Sequence, residues 1–172
     1  MTGILTDDQR AFQDTARRFA RERIAPGYMA RDMEKRIDRA LLREMGALGL
    51  LGADLPEHCG GLGAPSVTAG LAIEAVGYAD PNLAYVPLVA SLNGQIIARH
   101  GGRALASRWI PRVVAGEALL CIALTEPRGG SDAAHLMLSA RRSGDSYVLN
   151  GEKSSISLAD QADAAVVFAR TG

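Results

Sequence analysis

Apolar residues recur at steps of three and four over the first two thirds of the chain, a spacing that predicts helices. The first helix follows the capping box Thr6-Asp7-Asp8-Gln9 and has its arginines opposite one apolar face. Pro26-Gly27 is expected to end it, since both residues interrupt helices. A second helix is predicted from Asp38, with Gly49 as its C-cap.

Helical spacing resumes after a loop that is dense in Gly and Pro. Ser66 is expected to cap one helix, and Asp80-Pro81 supplies the N-cap and first helical position of the next. Pro87 should kink that helix or delay its start. A last helix is predicted over Arg103–Gly116. The first part of the chain is therefore expected to consist of five helices.

Beyond Leu119 the spacing of apolar residues changes from 3.6 to 2, which predicts strands. Apolar and polar residues alternate over residues 136–141, and a turn then leads back into Tyr147-Val148-Leu149. Two further strands are expected over residues 154–158 and 164–169. Strands that follow a set of helices in this way indicate an α+β arrangement.

We therefore predict an α+β protein with an N-terminal all-α helical domain, residues 1–118, and an antiparallel β domain, residues 119–172, that is incomplete at Gly172. A chain of 172 residues is long enough to bury a substantial core. Its 19 basic and 19 acidic residues cancel, so net charge does not favour binding to nucleic acid or to an anionic membrane. Neither kind of partner is expected.

The cysteines and the start of the chain indicate a cytoplasmic protein without a metal. Cys59 and Cys121 belong to no CxxC or Cys/His ligand pattern, which argues against a disulfide framework and a metal site. His58, next to Cys59, is not expected to act as its base, because adjacent side chains seldom face each other. Residues 1–5 lack the features of a signal peptide, and no apolar run is long enough to span a bilayer.

The candidate chemistry is concentrated in residues 123–132, Ala-Leu-Thr-Glu-Pro-Arg-Gly-Gly-Ser-Asp. This composition fits neither a buried strand nor a helix. Its glycines allow the backbone to approach a ligand closely, and the Thr125 and Ser131 hydroxyls can donate to acceptor oxygens. The stretch therefore suits a phosphate or the polar edge of a heterocycle; an ordinary β-turn followed by a polar loop is the alternative.

These residues resemble the first signature of the acyl-CoA dehydrogenase family, in which a small residue, an aliphatic residue, Thr or Ser, Glu, two free positions, a small residue, Gly, Ser or Thr, and Asp follow in order. His135 departs from the signature, because a small residue is usual at its position. The Pro-x-x-x-Gly-Gly-x-Gly loop that begins at Pro56 also resembles the family, where it joins two helices of the N-terminal domain.

A second stretch, residues 150–157, reads Asn-Gly-Glu-Lys-Ser-Ser-Ile-Ser and resembles the family's NGxKxWIT segment. In the family this segment lies beside the flavin ring, with its last hydroxyl near N5. Ser157 keeps that hydroxyl, whereas Ser155 replaces the usual Trp and removes an aromatic surface from one face of the ring. Similar segments occur in members that act on cyclic substrates, so an alicyclic acyl group is implied beside the fatty acyl chains of other members.

The resemblance implies an FAD-dependent acyl-CoA dehydrogenase, an oxidoreductase in which a carboxylate takes the α-proton of the thioester and the β-carbon gives a hydride to the flavin. No GxGxxG fingerprint joins a strand to a helix, so the flavin is not expected in a Rossmann fold. The implied cofactor-binding residues are Leu124, Thr125, Gly130, Ser131, Ser155, Ile156 and Ser157.

Substrate contacts are implied at Ser131 and at Tyr85, Leu88 and Leu92, which lie on the predicted helix that walls the acyl chain in the family. An ordinary buried stripe of a helix is the alternative for those three. Glu126 is expected to tie the signature loop down through a hydrogen bond or an ion pair rather than to titrate in catalysis.

Family members are considerably longer, and their catalytic Glu lies beyond the position that corresponds to Gly172. The resemblance thus implies an N-terminal fragment that is inactive alone, and no base is assigned. The expected partners are an acyl-CoA, an electron-transfer flavoprotein or a similar acceptor, and further copies of the chain in a tetramer or dimer. Two alternatives stay open: a related flavin oxidase or monooxygenase, and a non-catalytic module that binds CoA esters or partner subunits.

Overall fold

The structure, a computed structural model, describes residues 5–171. The prediction that the chain lacks a signal peptide depends on residues 1–4, which lie outside the described residues. The prediction that the β domain is incomplete depends on Gly172, which also lies outside them. The described chain divides into two compact units, one that ends at Leu119 and one that begins at Leu120. No helix within the described residues is both long and apolar enough to cross a membrane.

The helical unit opens with α1, Asp7–Phe19, which begins at the predicted capping box. The N–H of Gln9 donates to Thr6 Oγ1 (3.2 Å), and the N–H of Thr6 donates to Gln9 Oε1 (3.1 Å). Two N–H groups without a partner in the helix are satisfied in this way, which fixes where the helix starts.

The prediction that this helix ends at Pro26-Gly27 is wrong. A π-helical turn, Ala20–Ile24, and a 3₁₀ turn, Ala25–Gly27, lead directly into α2, Tyr28–Glu34. Pro26 is accommodated because it lies in the first turn of a new helical segment, where its missing N–H costs no hydrogen bond. The helix ends instead at Lys35, which has a left-handed backbone (φ 52°).

The next helix, α3, Arg39–Ala47, begins and ends where the sequence indicates. The Asp38 carboxylate accepts an N–H from its first turn (2.7 Å). Gly49, at φ 74°, follows the helix, and the N–H groups of Gly49 and Leu50 donate back to carbonyls of the last turn. This is a Schellman motif, which requires the left-handed conformation that Gly adopts without strain.

Three longer helices complete the unit: α4, Ser66–Ala79, α5, Tyr85–His100, and α6, Gly102–Val114. Ser66 is the first helical residue of α4 and does not cap it, because Pro65 occupies the N-cap position.

Asp80 accepts N–H groups from Asn82 (3.0 Å) and Leu83 (3.1 Å), so it caps the turn that precedes α5 rather than α5 itself. Pro87 lies in the first turn of α5, where a proline is tolerated, and the helix starts late rather than kinking. Asp80 is only 2% exposed and also accepts from Arg31 Nε (2.9 Å). This buried ion pair joins α2 to the end of α4.

The core of the helical unit is built from apolar side chains of every helix except α2, which has no buried residue. Its largest fully buried apolar side chains are Ile24, Leu42, Met45, Leu50, Leu55, Leu83, Ile110 and Leu119.

The described part of the second unit, residues 120–171, contains four short strands: β1, Leu120–Ala123, β2, Ser139–Ser143, β3, Ser146–Asn150, and β4, Ala164–Val167. The α+β class is thereby confirmed. β2 and β3 form the predicted antiparallel hairpin, whereas β1 and β4 pair in parallel and form a separate two-stranded sheet. This parallel pair differs from the antiparallel arrangement expected, and the long intervening chain supplies the crossover that a parallel pair needs.

Residues 154–158 were predicted as a strand, but they form an irregular segment. Ser155 and Leu158 have φ values of 53° and 65°, and left-handed residues interrupt the extended backbone of a strand. The prediction of a strand at this point is therefore wrong.

Candidate functional site

The Gly-rich stretch leaves β1 and forms a tight turn. The N–H of Glu126 donates to the carbonyl of Gly129 (3.1 Å), and the N–H of Gly129 donates to the carbonyl of Glu126 (2.9 Å). Gly129 has φ 142°, a conformation that residues with a side chain rarely adopt. The turn fixes the direction in which Gly130 and Ser131 leave it.

The Glu126 side chain, 6% exposed, holds this turn against the strand region that follows. Its carboxylate accepts hydrogen bonds from the Lys153 ammonium (2.9 Å), the N–H of Leu138 (2.9 Å) and the N–H of Met137 (2.7 Å). The hydrogen bond from Lys153, followed by those from the two N–H groups, lowers the pKa of Glu126 from 4.5 to about 2. Glu126 is therefore a fixed anion that ties the loop down, as the sequence indicates.

Lys153 connects the two stretches that carry the family resemblance. Its ammonium, besides binding Glu126, donates to the main-chain carbonyl of Leu124 (2.9 Å). One residue further along each stretch, the N–H of Ser154 donates to the carbonyl of Thr125 (3.0 Å). The Lys153 side chain is only 9% exposed, so this contact is shielded from water. The structure thus brings residues 124–126 and 153–154 side by side.

Gly130 keeps the Thr125 hydroxyl accessible. A Cβ at residue 130 would lie 2.8 Å from Thr125 Oγ1, closer than side-chain atoms normally approach. The backbone φ of Gly130 is not in the left-handed region, so the requirement for glycine is steric. A ligand group can use the space that a side chain would fill.

Several polar groups around this turn have no hydrogen-bond partner within residues 5–171. They are the hydroxyls of Thr125, Ser131, Ser155 and Ser157 and the N–H groups of Gly130, Ser131, Ile156 and Ser157. Ser131, Ser155 and Ser157 are exposed, whereas Leu124, Thr125, Gly130 and Ile156 are half-buried. Concentrated donors of this kind suit an anionic or multiply accepting ligand.

Three contributions to this region were not predicted from the sequence. Lys153 belongs to the second stretch, but the sequence indicates no role for its side chain. Arg170 donates to the carbonyls of Leu136 (3.1 Å) and Ala134, which fixes the chain after the signature. His135 Nδ1 lies 2.7 Å from an oxygen of Asp132, and both side chains are exposed. No sequence pattern indicates the Arg170 contacts, because its partners are main-chain atoms more than thirty residues away.

The three implied acyl-chain residues lie in the helical unit, on one face of α5. Tyr85 and Leu92 are each 44% exposed, and Leu88 is half-buried. The opposite face of α5, which includes Ala90 and Ile97, is buried in the core. Tyr85 and Leu92 are thus not buried within residues 5–171, and their contact with an acyl chain stays a prediction.

Within the described residues, no three His, Cys, Asp or Glu side chains lie close enough together to bind a metal ion. Burial raises the pKa of the Cys121 thiol, which disfavours the thiolate that metal binding or nucleophilic attack requires.

Two family models match this chain. Residues 6–117 match the family model described as the acyl-CoA dehydrogenase N-terminal domain, and residues 121–172 match that of the acyl-CoA dehydrogenase middle domain. This chain belongs to the acyl-CoA dehydrogenase family. The departures at His135 and Ser155 are thus departures within the family.

Two curated relatives illustrate the similarity. The chain is 38% identical over 169 residues to benzylmalonyl-CoA dehydrogenase of Aromatoleum aromaticum, a match that covers 98% of this chain and 45% of that protein. It is 34% identical over 171 residues to the mitochondrial short-chain specific acyl-CoA dehydrogenase of Homo sapiens, covering 97% of this chain and 41% of that protein. The chain therefore spans less than half the length of these acyl-CoA dehydrogenases.

Solved structures of the family have the same fold. A glutaryl-CoA dehydrogenase from Mycobacterium smegmatis in complex with FADH2 superposes with a TM-score of 0.90 at 34% identity, over 97% of this chain and 43% of that one. Butyryl-CoA dehydrogenase from Megasphaera elsdenii gives a TM-score of 0.88 at 32% identity, over 100% of this chain and 46% of that one.

Proposed function

We propose that this chain is the N-terminal portion of an FAD-dependent acyl-CoA dehydrogenase, which forms the α,β double bond of an acyl-CoA thioester. One observation in particular supports the proposal. Lys153 and the hydrogen bond from Ser154 to Thr125 join the two stretches that contact a single flavin in the family. Hydrogen bonds of this kind are not expected between two unrelated surface turns that lie more than twenty residues apart in the sequence.

The residues present fit the cofactor. FAD carries a pyrophosphate and a heterocycle with several acceptor atoms, and the groups left without partners here are mainly donors. We propose that Leu124, Thr125, Gly130 and Ser131 and, from the second stretch, Ser155, Ile156 and Ser157 hold it. The chemistry that FAD supplies is acceptance of a hydride equivalent from the β-carbon of the substrate. Ser155 offers the ring no aromatic surface, in contrast to the Trp usual in the family.

Substrate recognition is proposed for Ser131 and for the exposed apolar face of α5, formed by Tyr85, Leu88 and Leu92. An acyl chain laid along this face would remove apolar surface from water, a favourable contribution of about 25 cal/mol per Å². Residues 1–118 and 119–172 are proposed as the helical and β domains of the enzyme.

Proton abstraction is assigned to no residue of this chain. Glu126 is excluded, since its carboxylate is bound by three donors and its pKa of about 2 makes it a poor base. We propose that the base belongs to the part of the protein that follows Gly172, and that residues 1–172 alone are inactive.

The proposal extends to the oligomeric state, the location and the electron acceptor of the enzyme. The enzyme is proposed to be a cytoplasmic homotetramer or dimer that passes electrons to an electron-transfer flavoprotein or a similar acceptor. The oligomeric state and the electron acceptor are carried over from the family resemblance.

An absorption spectrum of the full gene product tests the proposal. We expect flavin absorption, and bleaching under anaerobic conditions on addition of butyryl-, glutaryl- or benzylmalonyl-CoA, the substrates named for relatives. Bleaching followed by rapid oxygen consumption would identify an oxidase or monooxygenase instead. A protein without flavin that still binds CoA esters or another subunit would refute the dehydrogenase proposal and favour a binding module.

A further inference from the structure

The charge distribution along the helical unit is uneven. Between Asp80 and Glu117 the chain has four arginines, Arg99, Arg103, Arg108 and Arg112, and no acidic residue. Because the whole chain is neutral, the remainder has an excess of carboxylates. A basic segment within a neutral protein attracts negatively charged partners locally without making the protein generally adhesive.

Two of these arginines lie on one face of α6. Leu105, Arg108, Trp109 and Arg112 are spaced at i, i+3, i+4 and i+7, so they share one side of the helix, which we call the α6 face. Leu105 is 49% exposed, both arginines are exposed, and Trp109 is half-buried. The other side of α6, with Ile110 and Val113, is buried in the core. The α6 face therefore lies on the side of the helix away from the core, and within residues 5–171 only Trp109 is partly covered.

The arrangement of the two guanidinium groups is specific. The Arg108 and Arg112 guanidinium carbons lie 5.4 and 5.1 Å from the centre of the Trp109 ring, so both cations stack on the same indole. Like charges at i and i+4 repel each other on a helix. Neither arginine has an ion-pair partner among residues 5–171, although Arg17, Arg23 and Arg31 each pair with a carboxylate. One carboxylate held by both guanidinium groups would relieve the repulsion.

We propose that the α6 face is a docking surface for an acidic segment of a partner protein. A partner Asp or Glu would bind the guanidinium groups of Arg108 and Arg112, and an adjacent apolar side chain would contact Leu105 and the Trp109 ring. A protein fits better than a nucleic acid or a membrane, because the cations are all Arg. Arg and Trp are enriched and Lys is depleted at protein interfaces, and a polyanion would be met by a longer row of charges.

A labelled peptide provides the test. The probe is a short helical peptide rich in Glu and Leu, and its control has every Glu replaced by Gln. We expect the Glu peptide to bind the protein, to shift the emission of Trp109, the only Trp of the sequence, and to bind more weakly as salt is added. The Gln peptide should not bind.

Substitutions locate the site. Arg108→Gln with Arg112→Gln should weaken binding of the Glu peptide about tenfold, since two charge-assisted contacts are lost. Arg18→Gln with Arg141→Gln removes the same charge from exposed positions elsewhere and should leave binding nearly unchanged. Arg108→Lys with Arg112→Lys keeps the charge but not the planar fork and should give an intermediate affinity. Unchanged far-UV circular dichroism confirms that the variants are folded.

Three results would overturn the proposal. The first is that the Glu peptide leaves Trp109 emission unaffected, and the second is an equal loss of binding in the Arg18 and Arg141 control. The third is tighter binding of a single-stranded oligonucleotide or of phosphatidylserine vesicles than of the Glu peptide, which would assign the α6 face to another class of partner.

Discussion

Lys153 Nζ lies 2.9 Å from Glu126 Oε1, and the same ammonium lies 2.9 Å from the main-chain oxygen of Leu124. Both side chains are at least 90% buried, so neither charge is satisfied by water. A buried ion pair of this kind is weak evidence for stability in itself, but removal of one partner leaves an uncompensated charge. We therefore regard it as a clamp that sets the spacing of the proposed flavin-binding stretches.

Replacement of Lys153 by Met should loosen this clamp. We expect a fall in Tm of about 5 °C, because the Glu126 carboxylate loses its cation while remaining buried. The affinity for FAD should fall about tenfold, since Leu124 and Thr125 are no longer held beside Ser154. Differential scanning fluorimetry and flavin fluorescence titration measure the two effects. Arg141→Met, which removes an exposed cation of β2, is the matched control; an equal loss in both variants would contradict the clamp.

The clamp also predicts a pH dependence. The pKa of Glu126 is lower in the folded protein, about 2, than its ordinary value of 4.5. Its contribution to stability is therefore complete above about pH 5 and is lost as the pH falls from about 4.5 towards 2. The free energies of unfolding of the wild type and Glu126→Gln should differ by a constant amount at neutral pH and converge below about pH 4.5. Urea titrations over this range measure the difference, and curves that stay parallel down to about pH 3 would refute the assignment.

The sequence predicted the helices, the hairpin and the adjacency of the two stretches because each depends on short-range patterns or on a family signature. The capping box at Thr6 and the Schellman glycine Gly49 are local features, and both are observed. The parallel pairing of β1 with β4 was missed, since hydrophobic alternation does not encode strand direction. The irregular backbone at Ser155 was missed for a related reason, because nothing in a run of serines signals a left-handed residue.

Helix continuation through Pro26 shows where a local rule is overridden. Ile24, in the π-helical turn, is fully buried, and Arg31 in α2 pairs with the buried Asp80. Tertiary contacts on both sides of the proline thus keep the chain helical. The sequence indicates which residues near Thr125 carry hydrogen-bond donors. It does not indicate that the Thr125 hydroxyl is accessible, because this depends on the absence of a Cβ at Gly130.

Gly130→Ala tests that accessibility. The added Cβ would lie 2.8 Å from Thr125 Oγ1, so either the hydroxyl or the loop must move. We expect FAD affinity to fall about tenfold, with little change in Tm, because the backbone conformation at residue 130 suits alanine. Gly70→Ala in α4 is the control, since a Cβ there meets no other atom within 4 Å. That variant should bind FAD normally and be more stable by about 0.5–1 kcal/mol, the usual gain for Ala over Gly in a helix.

Asn93, at the centre of α5, provides a last test that concerns stability alone. It is 0% exposed, and within the described residues neither its amide nitrogen nor its amide oxygen has a hydrogen-bond partner. Burial of an unpaired amide is unfavourable, so Asn93→Leu, which has a similar volume, should raise the free energy of unfolding by about 1–2 kcal/mol. Thr68→Val in α4 is the matched substitution, because the Thr68 hydroxyl is also buried without a partner; its gain should be smaller, about 1 kcal/mol. Urea unfolding of both variants measures these gains. Destabilisation by Asn93→Leu would mean that the amide makes hydrogen bonds in the folded protein, and that α5 carries a polar contact within the helical core.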